Sequence, residues 1–220
     1  MIPLGVLGSG VFPEWTPAAL PGLLGWWDAS DPSTLTIENG GVTEWRDKAG
    51  GIGDFTATGE PVPLGTLGGL PAIHVGESTM SAPTLLSGFS PSTSAAAYRV
   101  VAPAETRFTV RAGVRHPYPN GAWFQAYGGS LVKTVIPVGP QSFRSVIIND
   151  GPDSVVRANG TDRSGDLGSI GFEQRVFDIG QVTGGRHSEG LVGEVVFVSE
   201  RLSPGNIYLL DAYLQEKWGI

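Results

Sequence analysis

Near its C-terminal end the chain has the apolar run Gly190-Leu191-Val192-Gly193-Glu194-Val195-Val196-Phe197-Val198. Both alternating faces of this run are apolar, with Glu194 as the single charged exception. A strand of this kind is typical of a position that is covered on both sides of its sheet. Since no other apolar cover is close in sequence, we expect the segment that follows to supply one of the two layers.

That following segment predicts the only helix of the chain. Ser203 is a suitable N-cap, and Pro204 takes the first helical position, where its missing N–H costs nothing. Apolar residues then recur at helical spacing, at Ile207, Leu210, Leu214 and Trp218. We expect this helix to pack over the last strand with Trp218 as its anchor. Glu194 is then a structural hydrogen-bonding group rather than a catalytic acid.

The rest of the chain reads as short strands separated by turns. The segment Thr106–Arg115 alternates cleanly and predicts one strand, and the segment Ser154–Asp162 predicts a hairpin with Asn159-Gly160 in a type I′ turn. A dozen such strands without intervening helices predict an all-β sandwich of two antiparallel sheets, a jelly roll with one C-terminal helix.

Composition limits the classes of function. The 220 residues include 33 Gly, 17 Pro and no Cys, and the formal net charge is −7. A nucleic-acid-binding surface needs concentrated basic charge, so this balance argues against such a partner. The lack of cysteine excludes disulfides, thiolate metal sites and a thiol nucleophile.

Residues 1–22 are apolar and differ from the sandwich that we predict over residues 23–220. Pro and Gly interrupt them every few positions, and they lack the basic start of a signal peptide and the length of a membrane span. We consider three interpretations of this segment: a flexible terminus, an added edge strand, or an arm that docks into another subunit. The docking residues would be Ile2, Leu4, Val6, Leu7, Val11, Phe12 and Trp15.

Five sequence blocks resemble the laminin-G-like or concanavalin A-like sandwiches of bacteria and phages. They are the Trp-Asp-Ala-Ser-Asp-Pro-Ser-Thr-Leu opening, the Val-x-x-Trp-x-Asp-Lys turn, a Gly-x-Pro-Ala strand, a Gly-Leu-Val-Gly-Glu strand and the terminal Tyr-Leu-x-x-Lys-Trp-Gly. They occupy residues 27–35, 42–50, 69–72, 190–194 and 213–219. The resemblance implies a jelly-roll sandwich over residues 23–220.

The first nine residues, Met1-Ile2-Pro3-Leu4-Gly5-Val6-Leu7-Gly8-Ser9, resemble the opening of minor tail proteins from phages of actinobacteria. This resemblance implies a virion structural protein, in the tail rather than the capsid, that contacts other virion proteins through residues 1–22. The sandwich would then meet a host cell-wall glycan. The alternatives are a free-standing or secreted, extracellular carbohydrate-binding module and a capsid decoration protein. A homo-oligomer is left open.

The sequence gives no support for an enzyme or a cofactor. The Glu-x-Asp-x-x-Glu run of laminarinase-type hydrolases is absent, and His74, His116 and His187 have no partner at metal-ligand spacing. Calcium has weak candidates in Asp150, Asp153, Asp162 and Asp166, but the same residue type is common in turns. We therefore expect no catalytic residues and no bound metal.

Two segments are candidates for binding. In the segment 118–127, the alternation predicts that Trp123, Gln125 and Tyr127 share an outward face, with Tyr118 nearby. Aromatic rings can stack on a sugar ring and an amide can hydrogen-bond its hydroxyls, so these four residues are candidates for carbohydrate binding. The alternative is that a loop or a subunit covers this face.

Arg107, Arg111 and Arg115 form a basic stripe, which is either an ordinary solvated face or a contact with acidic groups of a partner or an anionic wall polymer.

Overall fold

The computed structural model describes residues 15–76, 78–86, 91–101, 110–112, 114–116, 123–127, 131–137, 141–168, 175–180 and 189–220. For residues 83–86, 110–112, 114–116, 123–127, 131–137 and 175–176 it describes the backbone only. Within these ranges the chain forms strands and one α-helix: β1 (Leu23–Asp28), β2 (Leu35–Glu38), β3 (Gly41–Trp45), β4 (Phe55–Thr58), β5 (Leu64–Leu67), β6 (Leu70–Val75), β7 (Thr79–Leu86), β8 (Ser92–Val100), β9 (Val110–Ala112), β10 (Val114–His116), β11 (Trp123–Tyr127), β12 (Leu131–Pro137), β13 (Ser142–Asn149), β14 (Val155–Ala158), β15 (Thr161–Ser164), β16 (Arg175–Ile179), β17 (Gly190–Val198) and α1 (Pro204–Trp218).

The strands form two antiparallel sheets. Sheet A has the order β15-β14-β13-β8-β17-β6-β5, and β1 also pairs with β17. Sheet B has the order β12-β11-β10-β9-β16-β7-β4-β3-β2. The predicted all-β sandwich with a C-terminal helix is therefore confirmed.

An inner core fills the space between the two sheets. It is rich in aromatic rings: Trp27 lies 4.6 Å from Phe55, and Phe177 lies 5.0 Å from Phe197, measured between ring centroids. All four of these side chains are fully buried. Such rings bury large apolar areas, so they dominate the hydrophobic stabilisation of the sandwich.

An outer core lies between sheet A and α1, and it contains Trp26, Val196, Leu210, Leu214 and Trp218. The central strands of sheet A are consequently covered on both faces, and the prediction that the last strand is buried on both sides is confirmed. The helix also begins as predicted, because the Ser203 side chain accepts a hydrogen bond from the Asn206 N–H at 3.3 Å.

A glycine lets the helix approach the sheet. A β-bulge interrupts the pairing of β17 with β8 between Val192 and Glu194, which leaves Gly193 at the bulge. A Cβ atom at Gly193 would lie 2.5 Å from the indole ring of Trp218. Glycine in a strand often marks such a bulge or close approach, and here it makes room for the anchor of α1.

A buried carboxylate organises the turn after β3. The Asp47 side chain accepts hydrogen bonds from the backbone N–H groups of Trp26, Ala49, Ile52 and Gly53, at 2.9 to 3.2 Å. These contacts join the opening block of the sequence to the Trp-Arg-Asp-Lys turn. The two blocks are therefore parts of one local structure, although about 20 residues separate them along the chain.

The hairpin between β14 and β15 also follows the sequence prediction. Asn159 and Gly160 have φ angles of 46° and 78°, as a type I′ turn requires.

At the other end of the chain, Trp15 packs edge-on against Tyr213 of α1, and Leu20 is buried in the outer core. Part of the predicted arm thus packs on the sandwich, and residues 1–14 lie outside the described residues. In the described part of the chain, no helix is long and apolar enough to cross a membrane.

Candidate functional site

The outer face of sheet B is the sheet face that α1 does not cover. The inner face of sheet B packs in the inner core through residues that include Trp45, Phe55, Met80 and Phe177. Because side chains alternate along a strand, the neighbours of these residues in sequence face away from the core.

Four polar residues occupy consecutive register positions across that outer face. Glu44 pairs with Thr56, Thr56 with Ser81, and Ser81 with Asp178, on β3, β4, β7 and β16. Thr56 is exposed, Glu44 and Ser81 are half-buried, and Asp178 is 1% exposed. Directly paired residues share a face of the sheet, so these four positions form one continuous row of hydroxyls and carboxylates.

The backbone register extends this row to the strands that the sequence singled out. Asp178 pairs with Arg111, Arg111 with Arg115, and Arg115 with Tyr127. We call the register positions of Glu44, Thr56, Ser81, Asp178, Arg111, Arg115 and Tyr127 the outer row. Two segments chosen separately, the basic stripe and the aromatic strand, thus meet on neighbouring strands of one sheet.

The described backbone corrects the shape of the basic stripe. Instead of one strand over Thr106–Arg115, the residues Val110–Ala112 and Val114–His116 form β9 and β10, which pair with each other antiparallel. Arg111 and Arg115 are therefore opposite one another on adjacent strands rather than four positions apart on one strand. A straight alternation in sequence looks the same in one strand as in two paired strands, so it does not reveal the reversal between β9 and β10. Arg107 lies outside the described residues.

The aromatic segment forms β11, which contains Trp123, Gln125 and Tyr127 as predicted for a strand. Gln125 pairs with Lys133 of β12, and a register shift follows between Trp123 and Gln125. Tyr118 lies outside the described residues. The choice of these residues as sugar ligands stays a prediction.

A second polar cluster surrounds Glu194, which is fully buried in the outer core. Its two oxygens accept four hydrogen bonds of 2.7 to 2.9 Å, from Trp26 Nε1, Tyr213 Oη, Lys217 Nζ and Trp218 Nε1. Burial raises the pKa of Glu194, while the Lys217 ammonium opposes this rise. The donors come from β1 and α1, so Glu194 joins the first strand, the last strand and the helix.

The environment of Glu194 also affects its neighbours. Burial, and then the Glu194 charge, raise the pKa of Tyr213 above its ordinary value. Lys217 contacts Asp28 Oδ1 at 2.7 Å as well as Glu194. With every oxygen of Glu194 occupied and no solvent access, this cluster has the features of a structural link and not of a catalytic acid.

The weak calcium candidates do not converge in the described structure. Asp150 pairs with Arg201, Asp162 pairs with Arg157, and Asp166 Oδ1 accepts from the Gly168 N–H at 2.7 Å. In the described ranges no three His, Asp or Glu side chains lie together as a metal site. These carboxylates instead serve turns and ion pairs.

A third polar cluster fixes the end of α1 to sheet A. Arg144 Nε donates to Asp211 Oδ1 at 2.9 Å, and Arg144 Nη1 donates to the Ile220 carbonyl oxygen at 2.6 Å. Arg157 Nε lies 3.0 Å from Asp211 Oδ2. Since Asp211 is 4% exposed, these contacts are structural.

Sequence reasoning missed the described half of the outer row. Thr56, Ser81 and Asp178 each stand between residues that pack in the inner core, and Glu44 precedes the core residue Trp45, so an alternation signal was present. The pairing of β4 with β7 and of β7 with β16 brings together residues far apart in sequence, and no local pattern specifies that pairing.

Comparisons with known proteins establish the fold. No protein-family model and no curated protein matches the chain. Among solved structures, it is similar to domain 4 of an extracellular arabinanase from Geobacillus stearothermophilus in complex with arabinotriose, with 15% identity and a TM-score of 0.62 over 86% of this chain and 98% of that one.

Two further solved structures are similar over part of their length. Trypanosoma rangeli sialidase in complex with sialic acid has 15% identity and a TM-score of 0.58, over 89% of this chain and 33% of that one. The binding domain of Paraclostridial mosquitocidal protein 1 has 12% identity and a TM-score of 0.53, over 86% and 52%. At these identities the likeness establishes a β-sandwich of this architecture.

Proposed function

We propose that this chain is a non-catalytic carbohydrate-binding domain that holds a saccharide on the outer face of sheet B. The observation that carries the proposal is the outer row, a continuous line of hydroxyl, carboxylate, guanidinium and phenol positions across one face of the sandwich. Sugar hydroxyls need both donors and acceptors, and a sugar ring stacks on an aromatic face.

The coverage of the two sheets supports the choice of face. The central strands of sheet A, β8, β13 and β17, are buried between the inner and outer cores, which leaves little of their surface open to a ligand. Along the described half of the outer row, Thr56 is exposed, Glu44 and Ser81 are half-buried, and Asp178 is buried. The arabinanase domain of similar fold is in complex with a saccharide, arabinotriose, and we extend that class of ligand to this chain.

The spacing of the described carboxylates supports binding rather than hydrolysis. Glu44 and Asp178 are separated by three strand spacings, about 14 Å at ~4.8 Å per strand. Glycosidases place their two carboxyl groups about 5 to 9.5 Å apart. The pair in the outer row is therefore too far apart to act on one glycosidic bond.

An aromatic substitution tests the proposal. We expect the wild type to bind at least one glycan on a glycan array. Replacing both Trp123 and Tyr127 with Ala should remove this binding, on the array and in calorimetric titration with the same glycan. The matched control is Tyr208→Ala, because Tyr208 is 65% exposed on α1, on the far side of sheet A. Equal binding by the wild type and the Trp123/Tyr127 variant would contradict the proposal.

We also propose that residues 1–14 attach the domain to a larger assembly, for which a phage tail is the first candidate. The supporting observation is the position of Trp15, which packs on Tyr213 of α1 and so joins the sandwich on the helix side. The outer face of sheet B is on the opposite side. Attachment through the N-terminal segment would therefore leave the binding face directed away from the assembly.

Deletion of residues 1–14 tests the attachment. We expect the shortened chain to keep its melting temperature and its glycan binding but to be missing from purified phage particles. Immunogold labelling of particles that contain the full chain should mark the tail. Labelling of the capsid would favour a decoration protein. A full chain that is found only free in the medium would favour a secreted binding module.

A further inference from the structure

Charge is distributed very unevenly along this chain. The 44 residues from Thr106 to Asn149 include five of the 14 basic residues and none of the 21 acidic ones. The formal net charge of the whole chain is −7, so the remaining residues are strongly acidic. The segment therefore carries five positive charges with no negative one, whereas the rest of the chain has nine basic and 21 acidic residues.

The topology places most of this segment at one end of sheet B. The strands β9, β10, β11 and β12 follow one another in sequence and are neighbours in the sheet. They carry Arg111, Arg115 and Lys133. Of the other two basic residues, Arg107 lies outside the described residues, and Arg144 belongs to sheet A, where Asp211 neutralises it at 2.9 Å.

The register brings the positions of Arg111, Arg115 and Lys133 close to β11, which carries the candidate sugar-binding residues. Arg111 pairs with Arg115, Arg115 with Tyr127, and Lys133 with Gln125. Alternation along β11 and β12 puts Gln125 on the same face as Tyr127, and Lys133 on the same face as Leu131, the partner of Tyr127. These positions therefore form one basic patch around the aromatic strand.

Directly paired like charges destabilise a sheet. Within the described residues of the outer row, the acidic neighbour of this patch is Asp178, which pairs with Arg111 and is 1% exposed. Among the described residues of the row and of β12, three cationic positions therefore meet one buried carboxylate. An anionic ligand on this part of the sheet would offset the excess of positive charge at these register positions.

We propose that the β9–β12 end of the outer row binds the anionic groups of an acidic saccharide polymer, either sugar carboxylates or phosphodiesters. This inference rests on the proposed carbohydrate-binding function and names its ligand class. The register positions of Arg115 and Lys133 supply the cationic charge, those of Tyr127 and Trp123 supply aromatic residues, and Thr56 and Ser81 supply hydroxyl groups farther along the row.

Titration of four polymers on the full-length protein tests this inference. The probes are polygalacturonate, poly(glycerol phosphate), an uncharged galactan of similar length and a single-stranded DNA oligonucleotide. We expect at least one of the two anionic glycans to bind about tenfold or more tightly than the galactan, and to weaken by a similar factor between about 50 and 500 mM NaCl. The comparison of the two anionic glycans separates carboxylate from phosphate recognition.

A charge-neutralising variant tests the same inference at residue level. Arg115→Gln with Lys133→Gln should weaken binding of the anionic glycan about tenfold. The control Arg99→Gln with Arg163→Gln removes the same charge from exposed positions of sheet A and should change affinity less than about twofold. If the Arg115/Lys133 variant does not fold, the salt dependence of glycan binding by the wild type still tests the inference.

Three outcomes would overturn the inference. Equal, salt-independent binding of galactan and the anionic glycans would reject the anionic ligand but keep the carbohydrate-binding function. Tighter binding of DNA than of either anionic glycan would assign the patch to nucleic acid. Binding of none of the three glycans, together with a negative glycan array, would reject the carbohydrate-binding function itself.

Discussion

Trp218 Nε1 donates a hydrogen bond to Glu194 Oε2 at 2.8 Å, and both residues are fully buried. This bond joins the last strand to the last turn of the terminal helix. Because Glu194 also accepts from Trp26 of β1, the contact brings the two ends of the described chain together around one carboxylate. The helix is thus held by a polar link inside an otherwise apolar layer.

Glu194→Gln tests the strength of this link. The amide keeps the volume of the side chain but replaces one acceptor oxygen with a donor and removes one of the two carboxylates that Lys217 contacts, leaving Asp28. We expect a loss of about 3 kcal/mol in the free energy of unfolding, measured in urea, as for other broken buried ion pairs. Glu216→Gln, on the exposed face of α1, should change it by less than about 0.5 kcal/mol. Similar small effects of both changes would contradict the structural role of Glu194.

A double-mutant cycle tests the contact between Gly193 and Trp218. Trp218→Ala should cost about 3–5 kcal/mol, as expected for a buried aromatic residue. Gly193→Ala should cost about 1–3 kcal/mol, since its Cβ would lie 2.5 Å from the indole ring. The double variant should lose less than the sum, because the missing ring makes room for the methyl group. Strictly additive losses would mean that the two residues do not constrain each other.

Alkaline pH should destabilise the fold through its buried tyrosines. Burial raises the pKa of both Tyr98 and Tyr213 above the ordinary value of 10.0. Above about pH 10 the unfolded chain loses phenol protons that the folded chain keeps, so stability is complete below that pH and falls as the pH rises. Urea denaturation from pH 9 to 11.5 should show a shallower fall for Tyr213→Phe than for the wild type. An identical slope would exclude Tyr213 from this effect.

Acid pH should weaken the turn that follows β1. Hydrogen bonds from Ser33 and Lys48 lower the pKa of Asp31 from 3.8 to about 2. The charged form is favoured in the folded state, so this stabilisation is present above about pH 4 and is lost as the pH falls towards 2. The Asp31 side chain is 33% exposed, so the effect should be below about 1 kcal/mol.

Asp31→Asn isolates the charge of that residue, because asparagine can still cap the short turn at Pro32. Thermal melts between pH 2 and 5 should show a smaller loss of stability on acidification for this variant than for the wild type. Parallel curves for the two proteins would contradict the assignment.

The sequence predicted the parts of the fold that local patterns encode. The helix after Ser203, the doubly covered strand around Glu194 and the Asn159-Gly160 turn all follow from periodicity, capping and positive φ preferences. The reversal between Arg111 and Arg115 was missed, because an alternating pattern looks the same in one strand and in two paired strands. The four donors to Glu194 and the outer row depend on long-range pairing, which no local pattern specifies.

The most direct test of the central claim is calorimetric titration of the wild-type chain with polygalacturonate and with poly(glycerol phosphate), each compared with the Trp123/Tyr127 double Ala variant and with Tyr208→Ala. The proposed binding face on sheet B predicts that the wild type and Tyr208→Ala bind at least one of the two polymers with equal affinity, and that the double variant does not bind it. Equal binding by all three proteins, or binding by none, would contradict the claim that the outer face of sheet B holds such a glycan.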